Sequence, residues 1–277
     1  GAQPAVLTDE GAVTYEALAT LVTDRVAEHD ATQRHVEVII GRRDLDTIVA
    51  LLGALTVGNP VIIASDADAV AELTQRFGRA TPDELHPDLA LLMSTSGTTG
   101  ASKLVRLSTH AVSSNALAIA QSLQLSSEDR AITALPLHYC YGLSVLTSHL
   151  AVGASIVVSD AAVVDPCFWA SVDRWAVTGI AGIPHTFDLL ARQRRTGIDR
   201  LAAPSLRYVT QAGGRLAPDA VTELVRLGVQ HDFDTHVMYG QTEATARMAT
   251  LDPADATRWP GAIGRPIPGG SIELGPV

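Results

Sequence analysis

Cysteine is nearly absent from this sequence, with only Cys140 and Cys167 among 277 residues. Their spacing matches neither the paired motifs of zinc sites nor the framework of a disulfide-stapled secreted domain. Isolated cysteines of this kind are typical of buried free thiols in a reducing compartment. We therefore predict a cytoplasmic protein with two free, buried thiols.

Long apolar runs are also missing. The longest, at residues 48–64, is interrupted by Thr56, Gly58, Asn59 and Pro60, so it falls short of the length that crosses a bilayer. Residues 1–9 lack a basic head followed by an apolar segment, which is the pattern of a secretory signal. We expect no membrane span and no export signal.

Positive charge is in deficit, because the chain has 20 Lys and Arg but 30 Asp and Glu, which gives a formal net charge of -10. Such a surface is not built to neutralise many phosphates, so nucleic acid is not expected as a partner, although a local anion site remains compatible. Hydrophobic residues make up 47% of the chain and charged residues 18%. This balance predicts a globular body with a large core.

Short β-branched runs alternate with amphipathic stretches along the whole chain. The predicted strands are residues 36–40, 60–64, 89–93, 131–135, 155–158, 179–183, 206–211 and 235–239. The helix candidates include residues 44–56, 109–123, 166–175, 184–195 and 218–227. This alternation predicts an α/β fold of mainly parallel β-sheets covered by helices. In such sheets ligands collect at the carboxyl ends of strands, so the loops after those ends are candidates for the functional site.

The loop after the strand at 89–93 concentrates hydroxyls, glycines and one lysine at residues 94–103, ahead of the helix at 109. Glycines let backbone N–H groups converge on an anion, hydroxyls donate further hydrogen bonds, and lysine adds a mobile charge. An ordinary Ser/Thr/Gly loop is the alternative. A Walker P-loop does not fit, because Ser102 and Leu104 stand where that motif needs glycine and Ser/Thr.

This run resembles the phosphate loop of the adenylate-forming superfamily, which includes acyl-CoA synthetases, luciferases and nonribosomal peptide adenylation domains. Ser102 departs from the proline usual in that family, which predicts a more mobile loop. The resemblance implies the fold of the family's large N-terminal domain. It also implies that ATP phosphates bind Thr95, Ser96, Gly97, Thr98, Thr99, Gly100 and Lys103.

A second segment, residues 239–243, lies at the end of the predicted strand at 235–239. A lone glutamate beside a glycine is usually a solvated turn residue, but a nucleotide-bound Mg²⁺ needs only one or two protein carboxylates. The segment resembles the superfamily's second signature. The resemblance implies that Tyr239 packs on adenine, Thr242 contacts the α-phosphate and Glu243 binds Mg²⁺. It places Met238, Gly240 and Gln241 in the adenine site as well.

Two further segments resemble family regions that line the nucleotide and the acid. Gly213, Gly214 and Arg215, which could otherwise be a simple turn, correspond to backbone along the adenine pocket. The second segment, residues 135–143, corresponds to the acyl pocket, and its alternative is a strand end packed in the core. The acyl-pocket residues implied are His138, Tyr139, Tyr141, Gly142, Ala212 and Arg247.

Two of these positions carry an open alternative. His138 could equally be a satisfied core histidine, and Arg247 could be a solvated arginine. Amino-acid-activating relatives carry an aspartate in the acyl-pocket segment, and none lies at residues 131–150. We therefore expect an acid without an α-amino group.

The resemblance implies activation of a carboxylic acid with ATP and Mg²⁺ to an acyl-adenylate, with Thr242, Glu243 and Lys103 as catalytic residues. Transfer to the thiol of CoA or of a carrier protein's phosphopantetheine would follow. Residues 1–277 correspond to the N-terminal ATP- and acyl-binding domain, and the family's C-terminal lid would come from a longer protein or a separate chain. We expect weak turnover from this part alone. The alternative is a degenerate nucleotide- or acyl-binding module without turnover.

Overall fold

The computed structural model describes residues 2–27, 33–78, 82–95 and 103–273. These residues form two sheets, of nine and four strands. The strands are β1 (Pro4–Leu7), β2 (Ala12–Thr14), β3 (Glu37–Ile40), β4 (Val61–Ala64), β5 (Leu89–Ser94), β6 (Leu104–Ser108), β7 (Arg130–Ile132), β8 (Ser155–Val157), β9 (Gly179–Gly182), β10 (Tyr208–Gln211), β11 (Asp234–Tyr239), β12 (Ala249–Leu251) and β13 (Arg265–Pro266).

Helices cover both sheets. They are α1 (Tyr15–Ala27), α2 (Leu45–Thr56), α3 (Ala67–Phe77), α4 (Thr109–Ser122), α5 (Cys140–Leu150), α6 (Pro166–Arg174), α7 (Pro184–Arg195), α8 (Pro218–His231) and α9 (Pro253–Arg258). Four of them, α6 to α9, carry proline in the first turn, where its missing N–H costs no hydrogen bond. No helix in the described residues is long and apolar enough to cross a membrane.

The large sheet has the order β13-β12-β11-β10-β9-β7-β8-β1-β2. Its six central strands, from β11 to β1, run parallel, and the antiparallel pairs lie at its two edges. The small sheet, β3-β4-β5-β6, is parallel except for β6. The predicted class of mainly parallel sheets covered by helices is confirmed.

Strand register brings the functional segments to one edge of the large sheet. Gln211 pairs with Gly182 on one side and with Val237 on the other. Because β9, β10 and β11 are parallel, the chain leaves all three at the same edge. The segments that follow β10 and β11 therefore meet there, together with the start of α7.

Two local structures differ from the prediction. Strand β6, which was not predicted, lies between the loop after β5 and the helix at 109 and pairs antiparallel with β5. The predicted strand at 131–135 ends at Ile132, and α5 begins a few residues later at Cys140. One predicted burial also fails, since Cys140 is buried but Cys167 is exposed.

The largest hydrophobic cluster connects the two sheets. It contains Val6 from the large sheet, Ile63 and Met93 from the small sheet, and Ile48 and Ile119 from covering helices. A second cluster fills the other face of the large sheet around α6, α7 and α8. The site described below lies at the boundary of the first cluster, where Tyr141, Ala212 and Met238 belong to it.

Candidate functional site

A cavity of about 420 Å³, here called the central cavity, opens where the segments after β5, β10 and β11 converge with the start of α5. Its lining residues are Thr95, Tyr139, Cys140, Tyr141, Ala212, Gly213, Gly240, Gln241, Thr242, Glu243, Ala246 and Arg247. The rim is exposed at Gly213, Gln241 and Glu243, and the floor is buried. Residues far apart in the chain, and predicted separately, thus share one cavity.

A second cavity of about 620 Å³, the side cavity, adjoins the first and shares Gly213 and Gly240 with it. Its lining residues are Gln211, Gly213, Gly214, Arg215, Leu216, Val237, Met238, Tyr239, Gly240, Pro260, Gly261, Ala262 and Ile263. All the residues predicted for adenine lie here except Gln241, which lines the central cavity.

Sequence reasoning did not place residues 260–263 in the candidate site, although they line the side cavity. The segment lies beside the adenine candidates because β13 folds back antiparallel onto β12, with Thr250 opposite Arg265. Its position after the second family signature was the available signal. Only the return of the chain along the sheet edge gives it a place in the side cavity.

The candidate phosphate loop is held together at its base. Ser94 pairs with Leu104, and the Thr95 N–H donates to the Lys103 carbonyl oxygen at 3.1 Å. Thr95 lines the central cavity, whereas Lys103 has an exposed side chain and does not. The other predicted phosphate ligands, Ser96, Gly97, Thr98, Thr99 and Gly100, lie outside the described residues.

Two tyrosines at the start of α5 form one wall of the central cavity, with their rings 6.3 Å apart in an edge-on arrangement. The Tyr139 hydroxyl lies against Gly213, which has φ +76°, and a Cβ at Gly213 would come within 2.4 Å of that oxygen. Tyr141 is buried and its hydroxyl donates to the Thr210 carbonyl oxygen at 2.8 Å. Burial raises the pKa of Tyr141, so its hydroxyl stays protonated.

The structure does not bring His138 and Gly142 into the lining of the central cavity. The His138 backbone packs on Gly41, and burial lowers the pKa of its imidazole, an effect partly opposed by Asp66. A Cβ at Gly142 would come within 2.2 Å of the Pro136 carbonyl oxygen, so glycine is required there for close packing of α5. Gly142 therefore has a packing role, whereas His138 lies beside Gly41 with its Nδ1 buried and without a hydrogen-bond partner among the described residues.

Cys140 is a cavity residue that sequence reasoning treated as an ordinary buried thiol. The Thr242 and Arg247 side chains act to lower the pKa of its thiol, and Glu243 acts to raise it. Burial raises its pKa to about 11, which keeps the thiol protonated and unreactive at neutral pH. Its position between the two tyrosines of the acyl-pocket segment was the available signal.

A tight turn joins the rim of the central cavity to its floor. The short 3₁₀ turn Thr242–Ala244 is followed by Thr245 and Ala246, with φ values of +59° and +90°. Such values are strained for residues with a Cβ and are held by the surrounding structure. Gly240 permits the close return of the chain, because a Cβ there would come within 1.6 Å of the Ala246 carbonyl oxygen.

The turn leads to Arg247, which lies at the floor of the central cavity and is 2% exposed. The guanidinium lies 4.8 Å from the centre of the Tyr141 ring, and Nη1 donates to the Met238 sulfur at 2.9 Å. The Asn115 amide donates to the Arg247 carbonyl oxygen at 2.8 Å and anchors the backbone. The reading of Arg247 as a solvated surface arginine is therefore wrong.

Comparison with known proteins agrees with this geometry. The family model described as "AMP-binding enzyme" matches residues 6–274. This chain belongs to the AMP-binding enzyme family. The match extends over both sheets and both cavities, so the family assignment does not depend on the two short motifs alone.

Curated relatives of this family member include the indoleacetate–CoA ligase of Aromatoleum aromaticum, 33% identical over 208 residues, which covers 73% of this chain and 39% of the relative. The oxalate–CoA ligase of Arabidopsis thaliana is 28% identical over 213 residues, covering 75% of this chain and 39% of the relative. The chain thus spans about two fifths of the length of these relatives.

Solved structures show the same fold. The o-succinylbenzoate CoA synthetase of Bacillus subtilis aligns with a TM-score of 0.78 at 20% identity, over 98% of this chain and 65% of the other. At this level of identity the likeness concerns the fold.

Proposed function

We propose that this chain is the nucleotide- and acid-binding part of a ligase that activates a carboxylic acid with ATP and Mg²⁺ as an acyl-adenylate. In the complete enzyme the acyl group would then pass to the thiol of CoA or of a carrier protein's phosphopantetheine. Residues 1–277 would form an N-terminal domain that works with a C-terminal domain, in the cytoplasm.

One observation carries the proposal: the central and side cavities adjoin at Gly213 and Gly240. The side cavity offers apolar and backbone surface suited to a base, including Tyr239 and Met238. The central cavity offers hydroxyls and a carboxylate at its rim and aromatic side chains at its floor. An adenine, a phosphate and an acid could therefore be held side by side, as adenylate formation requires.

Glu243 fits the role of a magnesium ligand. Its side chain is exposed at the rim of the central cavity and forms no ion pair within the described residues. The part of the chain that the structure describes contains no group of three or more His, Cys, Asp or Glu that could hold a metal ion. A single carboxylate suits Mg²⁺, which takes its remaining ligands from phosphate oxygens and water.

The chain's own residues would bind and orient in this mechanism. A substrate carboxylate oxygen attacks the α-phosphorus of ATP and pyrophosphate leaves, so no side chain becomes covalently modified. Thr242 would donate to the α-phosphate, and Thr95 and Lys103 would hold the ends of the loop on the other phosphates. Bound Mg²⁺ would neutralise charge on the phosphate oxygens. The indoleacetate and oxalate relatives support carboxylic acids as the substrate class.

Calorimetry with ATP in the presence and absence of Mg²⁺ tests the binding half of the proposal. We expect Glu243→Gln to lose most of the Mg²⁺-dependent gain in ATP affinity, because the substitution removes the charged metal ligand. Glu72→Gln, on the exposed α3, is the matched control and should bind as the unaltered protein does. Equal Mg²⁺ dependence in both variants would remove Glu243 from the proposal.

ATP–pyrophosphate exchange tests the catalytic half. We expect weak exchange from this chain alone and a marked increase when the C-terminal domain of a related ligase is added, because closure would exclude water and complete the site. ATP binding without exchange in either condition would instead favour a binding module without turnover.

A further inference from the structure

Arg247 is a cation in the interior of the protein without an anionic partner among the described residues. Within the part of the chain that the structure describes, the only hydrogen bond of its guanidinium is to the Met238 sulfur, its Nε has no partner, and no ion pair includes it. Burial lowers its pKa, and the groups that oppose this shift are Tyr141, Tyr208 and Cys140 rather than a carboxylate. A charge in this position is destabilising until an anion pairs with it.

The surrounding structure holds the charge in place. The central carbon of the guanidinium lies over the Tyr141 ring, and the Tyr141 hydroxyl is itself fixed by Thr210. Asn115 fixes the backbone, and the strained turn at Thr245 and Ala246 leads directly into the arginine. Strain and an unpaired buried charge at the same cavity are characteristic of a binding site rather than of a stability feature.

The cavity separates this cation from the position proposed for the reaction. Glu243 and Gln241 stand at the exposed rim with Thr242, whereas Arg247, Tyr141 and Ala212 form the buried floor. An acid whose reacting carboxylate reaches Thr242 would therefore extend its other end toward the guanidinium. The walls between them include the aromatic side chain of Tyr139 and the thiol of Cys140, which suit an apolar spacer.

We propose that the acid activated by this protein carries a second carboxylate, which pairs with Arg247 at the floor of the central cavity. The inference rests on the proposed function and adds the substrate class. The planar guanidinium can meet a carboxylate with two parallel hydrogen bonds, and its fixed orientation on Tyr141 means that little entropy is lost on pairing. Arg247 is thus a specificity-determining residue.

Calorimetry with matched acids, in the presence of ATP and Mg²⁺, tests the proposal. Each pair replaces one methyl group by a carboxylate: butyrate and succinate, pentanoate and glutarate, para-toluate and terephthalate. We expect the unaltered protein to bind at least one diacid roughly 10- to 100-fold more tightly than its partner, since a buried charged hydrogen-bond pair contributes on that scale. No preference in any pair would overturn the proposal.

The Arg247→Met variant tests whether the guanidinium causes the preference for the diacid. We expect the affinity ratio to fall to about one while the urea midpoint stays at or above that of the unaltered protein, because an unpaired buried charge is replaced by an apolar side chain. Arg258→Met is the matched control, because Arg258 also lies over an aromatic ring, 5.3 Å from the centre of Trp259, but is exposed and outside the cavity. The Arg258→Met variant should keep the full affinity ratio between diacid and monoacid.

An unchanged affinity ratio in Arg247→Met would overturn the proposal at this step, whether the two affinities of each pair stay the same or fall by an equal factor. If Arg247→Met does not fold, Arg247→Lys takes its place, and it should reduce the ratio because the planar fork is lost. An unchanged ratio there would count against the proposal.

The measurement of ATP binding distinguishes a failure of the proposed function from a failure of the diacid inference alone. An unaltered protein that fails to bind ATP with Mg²⁺ would remove the proposed function and this inference with it. A protein that binds ATP with Mg²⁺ and shows no diacid preference would remove this inference alone.

Discussion

His149, in α5, is a histidine held neutral by its surroundings. It is 2% exposed, and its Nδ1 lies 2.8 Å from the Val145 carbonyl oxygen while Nε2 lies 2.6 Å from the Tyr208 hydroxyl. A carbonyl oxygen can only accept, so Nδ1 carries the proton and Nε2 accepts from Tyr208. Burial lowers the pKa of His149 to about 4. Protonation would both bury a charge and disrupt the bond from Tyr208.

This arrangement predicts a loss of stability on acidification. The unfolded chain takes up a proton at His149 near its ordinary pKa of 6.5, whereas the folded protein does so only near 4. The contribution of neutral His149 to the unfolding free energy is therefore complete above about pH 6.5 and is lost as the pH falls toward about pH 4. The depression corresponds to about 3 kcal/mol of unfolding free energy, at about 1.4 kcal/mol per pKa unit. Urea titrations across this range measure it.

The His149→Gln variant identifies the source of the pH dependence. Removing the titrating group should reduce the slope of unfolding free energy against pH in that window, whatever the variant's absolute stability, while His236 and His138, whose pKa values burial also lowers, keep their own share of the slope. His185→Gln, at an exposed position of α7, is the control and should keep the original curve. A slope in His149→Gln as steep as in the unaltered protein would assign the effect to other groups.

At the scale of elements, α2 and α3 begin with the same cap but differ in packing. Asp44 and Asp66 each accept a 2.8 Å hydrogen bond from a backbone N–H of the first turn, at Thr47 and Ala69. Helix α2 buries Ile48, Leu51 and Ala54, among other residues, against the small sheet, whereas α3 buries none. Loss of the same aspartate cap should therefore lower the stability of the whole protein more at α2 than at α3.

We predict that Asp44→Ala lowers the unfolding free energy by about 1 kcal/mol, the usual effect of losing an N-cap. Asp66→Ala should change global unfolding less, because fraying of α3 removes no fully buried side chain. Urea unfolding followed by circular dichroism measures the first effect, and amide hydrogen exchange in α3 measures the second. Equal shifts in the unfolding midpoints of the two variants would contradict this account.

At the scale of the whole molecule, the two sheets share one hydrophobic cluster and should unfold together. Ile48 of α2 is fully buried in that cluster, while Trp169 and Trp175 pack in the second cluster on the large sheet. A perturbation near the small sheet can therefore be followed by fluorescence from the large sheet. Cooperative unfolding requires the two signals to shift together.

We predict that Ile48→Ala lowers the unfolding free energy by roughly 2–5 kcal/mol, the range for deleting a buried aliphatic side chain. Circular dichroism and tryptophan fluorescence should give coincident, equally shifted transitions. Leu117→Ala on α4 removes a side chain that is 55% exposed and should change little. A fluorescence transition that stays in place while circular dichroism shifts would show that the sheets unfold separately.

Local sequence was sufficient for much of the fold. Predicted strands at 179–183 and 235–239 lie within one residue of β9 and β11, and the helix at 184–195 has the bounds of α7. Alternating and helical periodicities are properties of neighbouring residues, so they can be read without knowing the tertiary structure. The strands β2, β12 and β13 were not predicted, because segments of two or three residues are too short to show a period.

The same local reasoning selected the chemistry-bearing segments, since glycines, hydroxyls and a glutamate stand directly after predicted strands. The family resemblance grouped His138 with Tyr139, Ala212 and Arg247 in one acyl pocket. Only the tertiary structure separated His138, whose backbone packs on Gly41, from the three residues that share the central cavity. Burial and charge pairing depend on which distant segments pack together, and sequence neighbours do not report that. Arg247 shows the difference most clearly: its residue type was visible from the start, but its isolation from any described carboxylate exists only in the folded chain.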